Sequence, residues 1–119
     1  MGKKKIMIAD DEFYVRDMVA SALEDDYIVL EASDGEEAVN MARNHKPNLI
    51  LMDILLPKLD GVSACHLLKS DANTKEIPII MISGRTDKLD QNYSKSIGAD
   101  DCLAKPFDVH DLIDKVSKY

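Results

Sequence analysis

Ionisable and hydroxyl side chains stand directly after four of the short apolar runs in this sequence. Two carboxylates, a third carboxylate, a hydroxyl and an ammonium group occupy these places, and the residues are Asp10, Asp11, Asp53, Ser83 and Lys105. A carboxylate can act as a nucleophile toward phosphorus and form an aspartyl phosphate. The hydroxyl and the ammonium group can each bond a phosphoryl oxygen. These residue types therefore point to phosphoryl chemistry, provided that the fold brings them together.

The carboxylates also indicate a metal site. If the first and third strands are neighbours, Asp10, Asp11 and Asp53 share one pocket, where they repel each other and lose solvation. A divalent cation relieves both effects, and Mg²⁺ prefers oxygen ligands of this kind. No histidine or cysteine is placed to favour zinc. We therefore predict a site for Mg²⁺ or Mn²⁺.

Taken one at a time, several of these residues have simpler interpretations. Asp11 fits the N-cap of a following helix equally well, Ser83 fits a turn, and Lys105 fits a solvated loop. Asp53 is harder to explain in this way, because it follows four apolar residues of a strand that we expect to be central. An ionised carboxylate there needs a partner, and Lys105 can supply the positive charge. His45, His66 and His110 fall in predicted helices, so none is expected to act as a general base.

Composition limits the classes of protein to consider. The chain has 119 residues, 45% of them hydrophobic, which fits one domain with a core over residues 1–119. A net charge of −7 argues against a nucleic-acid or anionic-membrane binder, which needs a basic face. The basic start, residues 1–5, precedes an apolar run too short for a signal peptide or a membrane span. Cys65 and Cys102 are expected to be reduced and buried, and the protein to be cytoplasmic.

Short apolar runs alternate with amphipathic segments along the whole chain. Most runs are continuous, as in strands that are covered on both faces, and they span residues 6–9, 28–30, 49–52, 79–82 and 102–104. The alternation predicts an α/β fold, a doubly wound sheet of five parallel strands with five helices on its two faces. The order 2-1-3-4-5 is one common solution, and ligands then bind at the carboxyl ends of strands 1 and 3.

The predicted helices carry apolar stripes of different strength. The first has apolar residues at positions 15, 18, 19, 22 and 23, and the last at 109, 112, 113 and 116. Asp34 and Glu37 resemble a capping box before the second helix, and the third spans residues 61–70. The fourth has the sparsest stripe, formed by Leu89, Tyr93 and Ile97. We therefore expect it to have the lowest local stability.

Essentially the whole chain resembles the receiver domain of two-component response regulators, in its stand-alone, chemotaxis-regulator-like form. The resemblance rests on the acidic pair after strand 1, on Asp53 followed by Pro57 and Gly61, on Ser83-Gly84, and on Gly98-Ala99-Asp100-Asp101 leading into Lys105-Pro106-Phe107. It implies the flavodoxin-like receiver fold with strand order 2-1-3-4-5.

The resemblance also assigns roles. Asp53 matches the phosphoacceptor, and Asp10 and Asp11 match the acidic pair that holds Mg²⁺ with it. The backbone carbonyl of Leu55 matches a further metal ligand. Ser83 matches the switch residue and Lys105 the lysine of the active site, with a cis bond between Lys105 and Pro106. The implied phosphoryl donor is a phosphohistidine on a sensor histidine kinase or phosphotransfer protein, and the receiver hydrolyses its own aspartyl phosphate without being an enzyme otherwise.

Phosphorylation adds roughly −1.5 to −2 charges and strong acceptor oxygens. We expect Ser83 and its loop to move toward that charge and to shift helix 4. The face formed by helix 4, strand 5 and helix 5 would then bind a downstream protein target, with no direct contact to nucleic acid or membrane. The chain would act as a monomer or as a phosphorylation-dependent dimer.

Cys102 departs from the family pattern. The family usually has Tyr or Phe at this strand 5 position, and a small thiol cannot fill the volume that the ring occupies and vacates. Switching through Cys102 is therefore expected to differ from the aromatic kind. Leu55 and Arg85 occupy positions that tune dephosphorylation in relatives, and Arg85 equally fits a solvated surface residue.

Three other functions share part of this pattern. A phosphoaspartate hydrolase of the haloacid-dehalogenase type has a second Asp two residues after the nucleophile, where this chain has Leu55. A flavodoxin-like cofactor module needs a Ser/Thr/Gly-rich phosphate loop after strand 1, where this chain has an acidic pair. A pseudo-receiver, acting as a constitutive interaction domain, is disfavoured by the intact acidic, hydroxyl and lysine set, although Cys102 keeps it open.

Overall fold

Strands and helices alternate regularly through the molecule. The computed structural model describes residues 2–84 and 91–119, with the backbone alone for 91–93. Within these residues the elements are β1 (Lys4–Ala9), α1 (Phe13–Leu23), β2 (Tyr27–Ala32), α2 (Gly35–His45), β3 (Leu49–Asp53), α3 (Gly61–Ser70), β4 (Ile79–Ser83), α4 (Gln91–Ser96), β5 (Asp101–Ala104) and α5 (Val109–Val116). The strands form one parallel sheet in the order β2-β1-β3-β4-β5. The doubly wound flavodoxin-like fold and its strand order are therefore confirmed.

The core lies on both faces of the sheet. Every residue of β3 and β4 is buried, which explains why their sequences are continuously apolar. Because successive strand residues point to opposite faces, Met7, Ile50 and Met81 pack with α2 and α3 on one face. Ile8 and Leu51 pack with α1 and α5 on the other face.

The edges of the sheet are less covered than the sequence suggested. Ile28 on β2 is 44% exposed, and Cys102 on β5 is half-buried. The expectation that both cysteines are buried is therefore right for Cys65 and wrong for Cys102, because an edge strand has a neighbour on one side only. Helix α5 covers the sheet with a narrow stripe, since Leu112 and Val116 are buried while Val109 and Ile113 remain 43% exposed.

The helix ends follow local hydrogen bonds. Asp34 accepts a bond from the backbone N–H of Glu37 at 2.7 Å, as expected for a cap. The Glu37 carboxylate, however, accepts from the N–H of Ser33 instead of completing a capping box with Asp34. Helix α3 has the predicted bounds, and Asp60 caps it by accepting from the N–H of Ser63 at 2.8 Å.

Helix α4 is the shortest helix in the described residues. Of its predicted apolar stripe, Leu89 and the side chain of Tyr93 lie outside the described residues, and Ile97 follows the helix and packs against the core. None of the helices in the described part of the chain has the length and apolar character needed to cross a membrane.

Candidate functional site

The predicted site residues converge at the carboxyl end of the sheet. Asp10 follows β1 directly, and Asp53 ends β3, which pairs with β1 through Ala9 and Met52. Asp10 and Asp53 are buried, whereas Asp11 is exposed. Carboxylate oxygens of Asp10, Asp11 and Asp53 all lie within 4.8 Å of one another. The three acidic residues that the sequence indicated are therefore brought together in space.

Lys105 links two of these carboxylates. Its ammonium group lies 2.6 Å from Asp10 Oδ2 and 3.0 Å from Asp53 Oδ2. The remaining oxygens accept backbone bonds, because Asp10 Oδ1 is bound by the N–H of Glu12 at 2.9 Å and Asp53 Oδ1 by the N–H of Leu55 at 3.1 Å. Both buried carboxylates therefore have fixed orientations, as buried charges require.

The electrostatics of Asp53 are set by opposing influences. Burial is the largest and raises its pKa from 3.8 to about 6, while the hydrogen bond and charge of Lys105 act in the opposite direction and Asp10 adds to the rise. Burial by itself lowers the pKa of Lys105, but its bonds to Asp10 and Asp53 outweigh that effect and raise it. Near neutral pH the site therefore holds an ammonium group beside carboxylates that carry negative charge.

Ser83 occupies the place that the sequence indicated. It ends β4, one residue beyond Ile82, the register partner of Asp53. Its side chain is buried, and its carbonyl accepts a bond of 2.7 Å from the backbone N–H of Lys105. Asp53, Ser83 and Lys105 thus lie on three adjacent strand ends, β3, β4 and β5. The peptide bond between Lys105 and Pro106 is cis, as predicted.

The loop after β3 packs tightly against the site. The side chain of Leu55 is 68% exposed, while its backbone N–H is the group that holds Asp53. Gly61 donates its N–H to the carbonyl of Ile54 at 2.8 Å. A Cβ atom at Gly61 would lie 2.0 Å from the carbonyl oxygen of Asp53, so the loop closes only with glycine at this position. The role of the Leu55 carbonyl as a metal ligand stays a prediction.

The residues expected to transmit a signal are partly outside the described region, where Arg85 also lies. Cys102 pairs with Met81 across the strands and packs half-buried against the core that α2 and α3 cover. Ser94 on α4 is fully buried, and its hydroxyl has no hydrogen-bond partner within residues 2–84 and 91–119. The switch role of Ser83 and Cys102 stays a prediction.

Two residues near the site had no role predicted from the sequence. Glu12 reaches the ammonium group of Lys105 at 3.5 Å, and its position beside two other acidic residues was an available signal. Arg16 donates from Nη1 to the backbone carbonyl of Asp10 at 2.8 Å. No pattern in the sequence marks this contact, because it depends on how α1 crosses the end of β1.

The donor atoms fit a hard divalent cation. Asp10, Asp11 and Asp53 offer oxygen ligands only, which suits Mg²⁺ or Mn²⁺ rather than zinc. Among the described residues, the two buried carboxylates of Asp10 and Asp53 share the single positive charge of Lys105. A bound cation would therefore relieve the repulsion and the desolvation that raise the pKa of Asp53.

The known proteins that this chain resembles in sequence are regulatory proteins. The response regulator receiver domain family matches residues 6–117. The alkaline phosphatase synthesis transcriptional regulatory protein PhoP of Bacillus subtilis is 40% identical over 105 residues, 87% of this chain and 43% of that protein. The probable transcriptional regulator ycf27 of Guillardia theta is 38% identical over 92% of this chain and 42% of its own length. The chain thus spans about half the length of the curated relatives it matches.

Solved structures show the same likeness. The chemotaxis response regulator CheY4 of Vibrio cholerae superposes with a TM-score of 0.91 at 28% identity, covering 98% of both chains. The receiver domain of the sensor histidine kinase PA1611 of Pseudomonas aeruginosa gives a TM-score of 0.89 at 28% identity, covering 99% of this chain and 98% of that one. That structure has a magnesium ion coordinated in its active site cleft.

Proposed function

Because the chain belongs to the response regulator receiver domain family of two-component signalling, we propose that Asp53 accepts a phosphoryl group from a phosphohistidine. The donor would be a sensor histidine kinase or a phosphotransfer protein. The observation that carries the proposal is the buried Asp53 carboxylate, held by Lys105 and by the N–H of Leu55, next to Asp10 and Asp11. We propose the whole of residues 1–119 as the receiver domain.

The transfer is a displacement at phosphorus. A carboxylate oxygen of Asp53 forms the new P–O bond while the P–N bond of the phosphohistidine breaks, and the histidine nitrogen keeps that electron pair and takes up a proton. Asp53 must be ionised to attack, which its pKa of about 6 allows at neutral pH. Water later attacks phosphorus, releasing inorganic phosphate and restoring the carboxylate. The protein is thus a signalling switch rather than a classical enzyme.

The other residues of the site stabilise the phosphoryl group. The Lys105 ammonium group, now shared by Asp10 and Asp53, can bond one phosphoryl oxygen, and the hydroxyl of Ser83 can bond another. We propose Asp10, Asp11, Asp53 and the Leu55 carbonyl as the ligands of Mg²⁺, or of Mn²⁺ in its place. Bound there, the cation would neutralise charge that develops on the phosphoryl oxygens.

We propose that the signal is read through α4. Its buried Ser94 hydroxyl has no partner among the described residues, and an unpaired buried hydroxyl costs about 1–3 kcal/mol. Helix α4 is therefore weakly held and ready to shift when Ser83 moves toward the phosphoryl group. The face of α4, β5 and α5, on which Val109 and Ile113 are exposed, would contact a downstream protein. The receiver itself would act as a monomer or as a phosphorylation-dependent dimer.

The α4 proposal predicts a local spectroscopic change. Phosphorylation should shift the amide NMR signals of residues 91–99, while those of the far edge strand β2 stay in place. Unchanged signals in residues 91–99 of a fully phosphorylated sample would exclude this route of signalling.

The phosphoacceptor proposal is tested with a small phosphoryl donor. The chain is incubated with acetyl phosphate and Mg²⁺ and run on a phosphate-affinity gel beside Asp53→Asn and the exposed control Asp17→Asn. We expect a retarded band for the parent and for Asp17→Asn that is absent without Mg²⁺ and absent in Asp53→Asn. Retardation of Asp53→Asn would place the modification elsewhere, and no retardation of the parent would favour a constitutive interaction domain.

A further inference from the structure

Arg16 connects the acidic loop to the edge of the sheet. From the second turn of α1, its Nη1 donates to the backbone carbonyl of Asp10 at 2.8 Å, and its Nε donates to Glu31 Oε1 on β2 at 3.3 Å. The Arg16 side chain is only 16% exposed, and its guanidinium group lies 5.7 Å from the centre of the Phe13 ring. One planar group thus makes two directed bonds and a ring contact, which fixes its orientation.

The carbonyl that Arg16 binds belongs to the peptide group between Asp10 and Asp11. Holding this oxygen fixes the plane of that peptide and with it the direction in which the Asp11 side chain leaves the backbone. The N–H of Asp10 is fixed as well, because it donates to the carbonyl of Ala32 on β2 at 3.0 Å. The loop that carries both acidic residues is therefore tied to β2 by a backbone bond and by Arg16.

Asp11 depends on this support more than the other two carboxylates. Asp10 and Asp53 are buried, and each is held by Lys105 and by a backbone N–H. Asp11 is exposed, so its place in the trio is set by its backbone. A ligand that has to be ordered at the moment of binding lowers metal affinity, whereas one already in position does not.

We propose that Arg16 is a positioning residue for the divalent cation, holding the Asp10–Asp11 peptide so that the Asp11 carboxylate is placed beside Asp10 and Asp53. This inference rests on the proposed function, which assigns the cation to these three carboxylates. It adds a residue that touches neither the cation nor the phosphoryl group. Glu31 has a supporting part, because it orients the guanidinium group from the far side.

The charge of Arg16 and its positioning role would have opposite effects on metal affinity, so a measurement of affinity distinguishes them. A guanidinium group that bonds the backbone carbonyl of Asp10 repels a divalent cation bound by the neighbouring carboxylates. If Arg16 acted through charge alone, removing it would tighten metal binding. If it acts by positioning, removing it weakens metal binding although a repelling charge is lost.

The test measures metal affinity directly. Mn²⁺ binding to the full chain is followed by electron paramagnetic resonance, with Mg²⁺ measured by competition, for the parent, Arg16→Met, Arg16→Lys and Glu31→Gln. Arg43→Met is the matched control, because Arg43 makes the same kind of bond to Asp71 at 3.1 Å but lies on α2, away from the site. Thermal unfolding without metal checks that each variant is folded.

We expect Arg16→Met to weaken Mn²⁺ and Mg²⁺ binding about tenfold, as is typical when the support of a metal ligand is lost. Arg16→Lys keeps the charge but loses the two-pronged bond, so it should also weaken binding, and Glu31→Gln should do so to a smaller degree. Arg43→Met should bind like the parent. Raising Mg²⁺ to saturation should bring the phosphorylation rate of Arg16→Met back toward the parental rate, because the lost metal affinity is then overcome.

Other results would overturn either the positioning role of Arg16 or the metal site itself. Tighter or unchanged binding in Arg16→Met, with the parent binding normally, overturns the positioning role alone. If Arg16→Met does not fold, Glu31→Gln decides the matter, and parental affinity in that variant overturns the role. A parent that binds neither Mn²⁺ nor Mg²⁺ overturns the metal site itself and this inference with it.

Discussion

At the scale of single residues, burial and Lys105 act on Asp53 in opposite directions. Burial disfavours the charged carboxylate and raises its pKa to about 6, although Lys105 lies 3.0 Å away. Lys105 cannot offset burial fully, because it shares its single charge with Asp10 and reaches Glu12 as well. Among the described residues the site therefore carries excess negative charge, which a bound cation would offset.

This balance predicts how stability depends on pH without divalent metal. The folded protein holds a proton on Asp53 more tightly than the unfolded chain does, so protonation of Asp53 stabilises the fold. This stabilisation is complete below pH about 4 and is lost as pH rises through about 6. Above that pH we expect Asp53→Asn to be more stable than the parent by roughly 1–2 kcal/mol. Urea unfolding at several pH values measures this difference.

The difference should shrink toward zero as pH falls below about 4, because Asp53 is then protonated in the folded protein and increasingly protonated in the unfolded chain. The exposed Asp25→Asn serves as the control and should have a free energy of unfolding close to that of the parent at pH 8. An Asp53→Asn variant less stable than the parent at pH 8 would contradict the proposed excess of negative charge.

At the scale of elements, the site depends on close packing between the end of the β3–α3 loop and the end of β3. Asp60 caps α3 by accepting from the N–H of Ser63, and Gly61 lies against the backbone of Asp53. The start of α3 and the end of β3 are thus in direct contact. This contact fixes the loop whose N–H at Leu55 orients the Asp53 carboxylate.

Two glycine substitutions test the closeness of this contact. In Gly61→Ala the new Cβ would lie 2.0 Å from the Asp53 carbonyl oxygen, so the backbone has to shift, and we expect a loss of about 2 kcal/mol or more. Gly84→Ala is the control, because the nearest atom to its Cβ is 3.9 Å away and its cost should stay below about 0.5 kcal/mol. Equal free energies of unfolding for the two variants would contradict the described packing.

At the scale of the whole molecule, a chain of net charge −7 has three carboxylates gathered at one end of its sheet. A ligand that binds only the folded state stabilises it by mass action. A cation at these carboxylates should therefore stabilise the entire fold, and not the site alone.

This linkage predicts that Mg²⁺ raises the free energy of unfolding. At a concentration one hundred times the dissociation constant the gain is about 2.7 kcal/mol. Asp11→Asn should reduce or abolish the gain with little effect on the metal-free protein, because Asp11 is exposed. Asp17→Asn, exposed on α1, should respond to Mg²⁺ like the parent. A Mg²⁺ response that survives in Asp11→Asn would exclude Asp11 as a ligand.

Much of this molecule was predictable from sequence, for identifiable reasons. Asp10, Asp53, Ser83 and Lys105 stand at the ends of continuous apolar runs, and parallel strands bring such positions to one edge. The half-burial of Cys102 was missed because a run of three residues does not reveal an edge strand. The contact of Arg16 was missed because it follows from the path of α1 across the sheet.

The most direct measurement of the central claim is chemical mapping of the phosphorylated residue. The chain is treated with acetyl phosphate and Mg²⁺, reduced with borohydride, which converts an aspartyl phosphate to homoserine, and sequenced by peptide mass spectrometry. We predict homoserine at residue 53 alone, and none when Mg²⁺ is omitted. Homoserine at residue 10 or 11, or none at residue 53 in the presence of Mg²⁺, would contradict Asp53 as the phosphoacceptor.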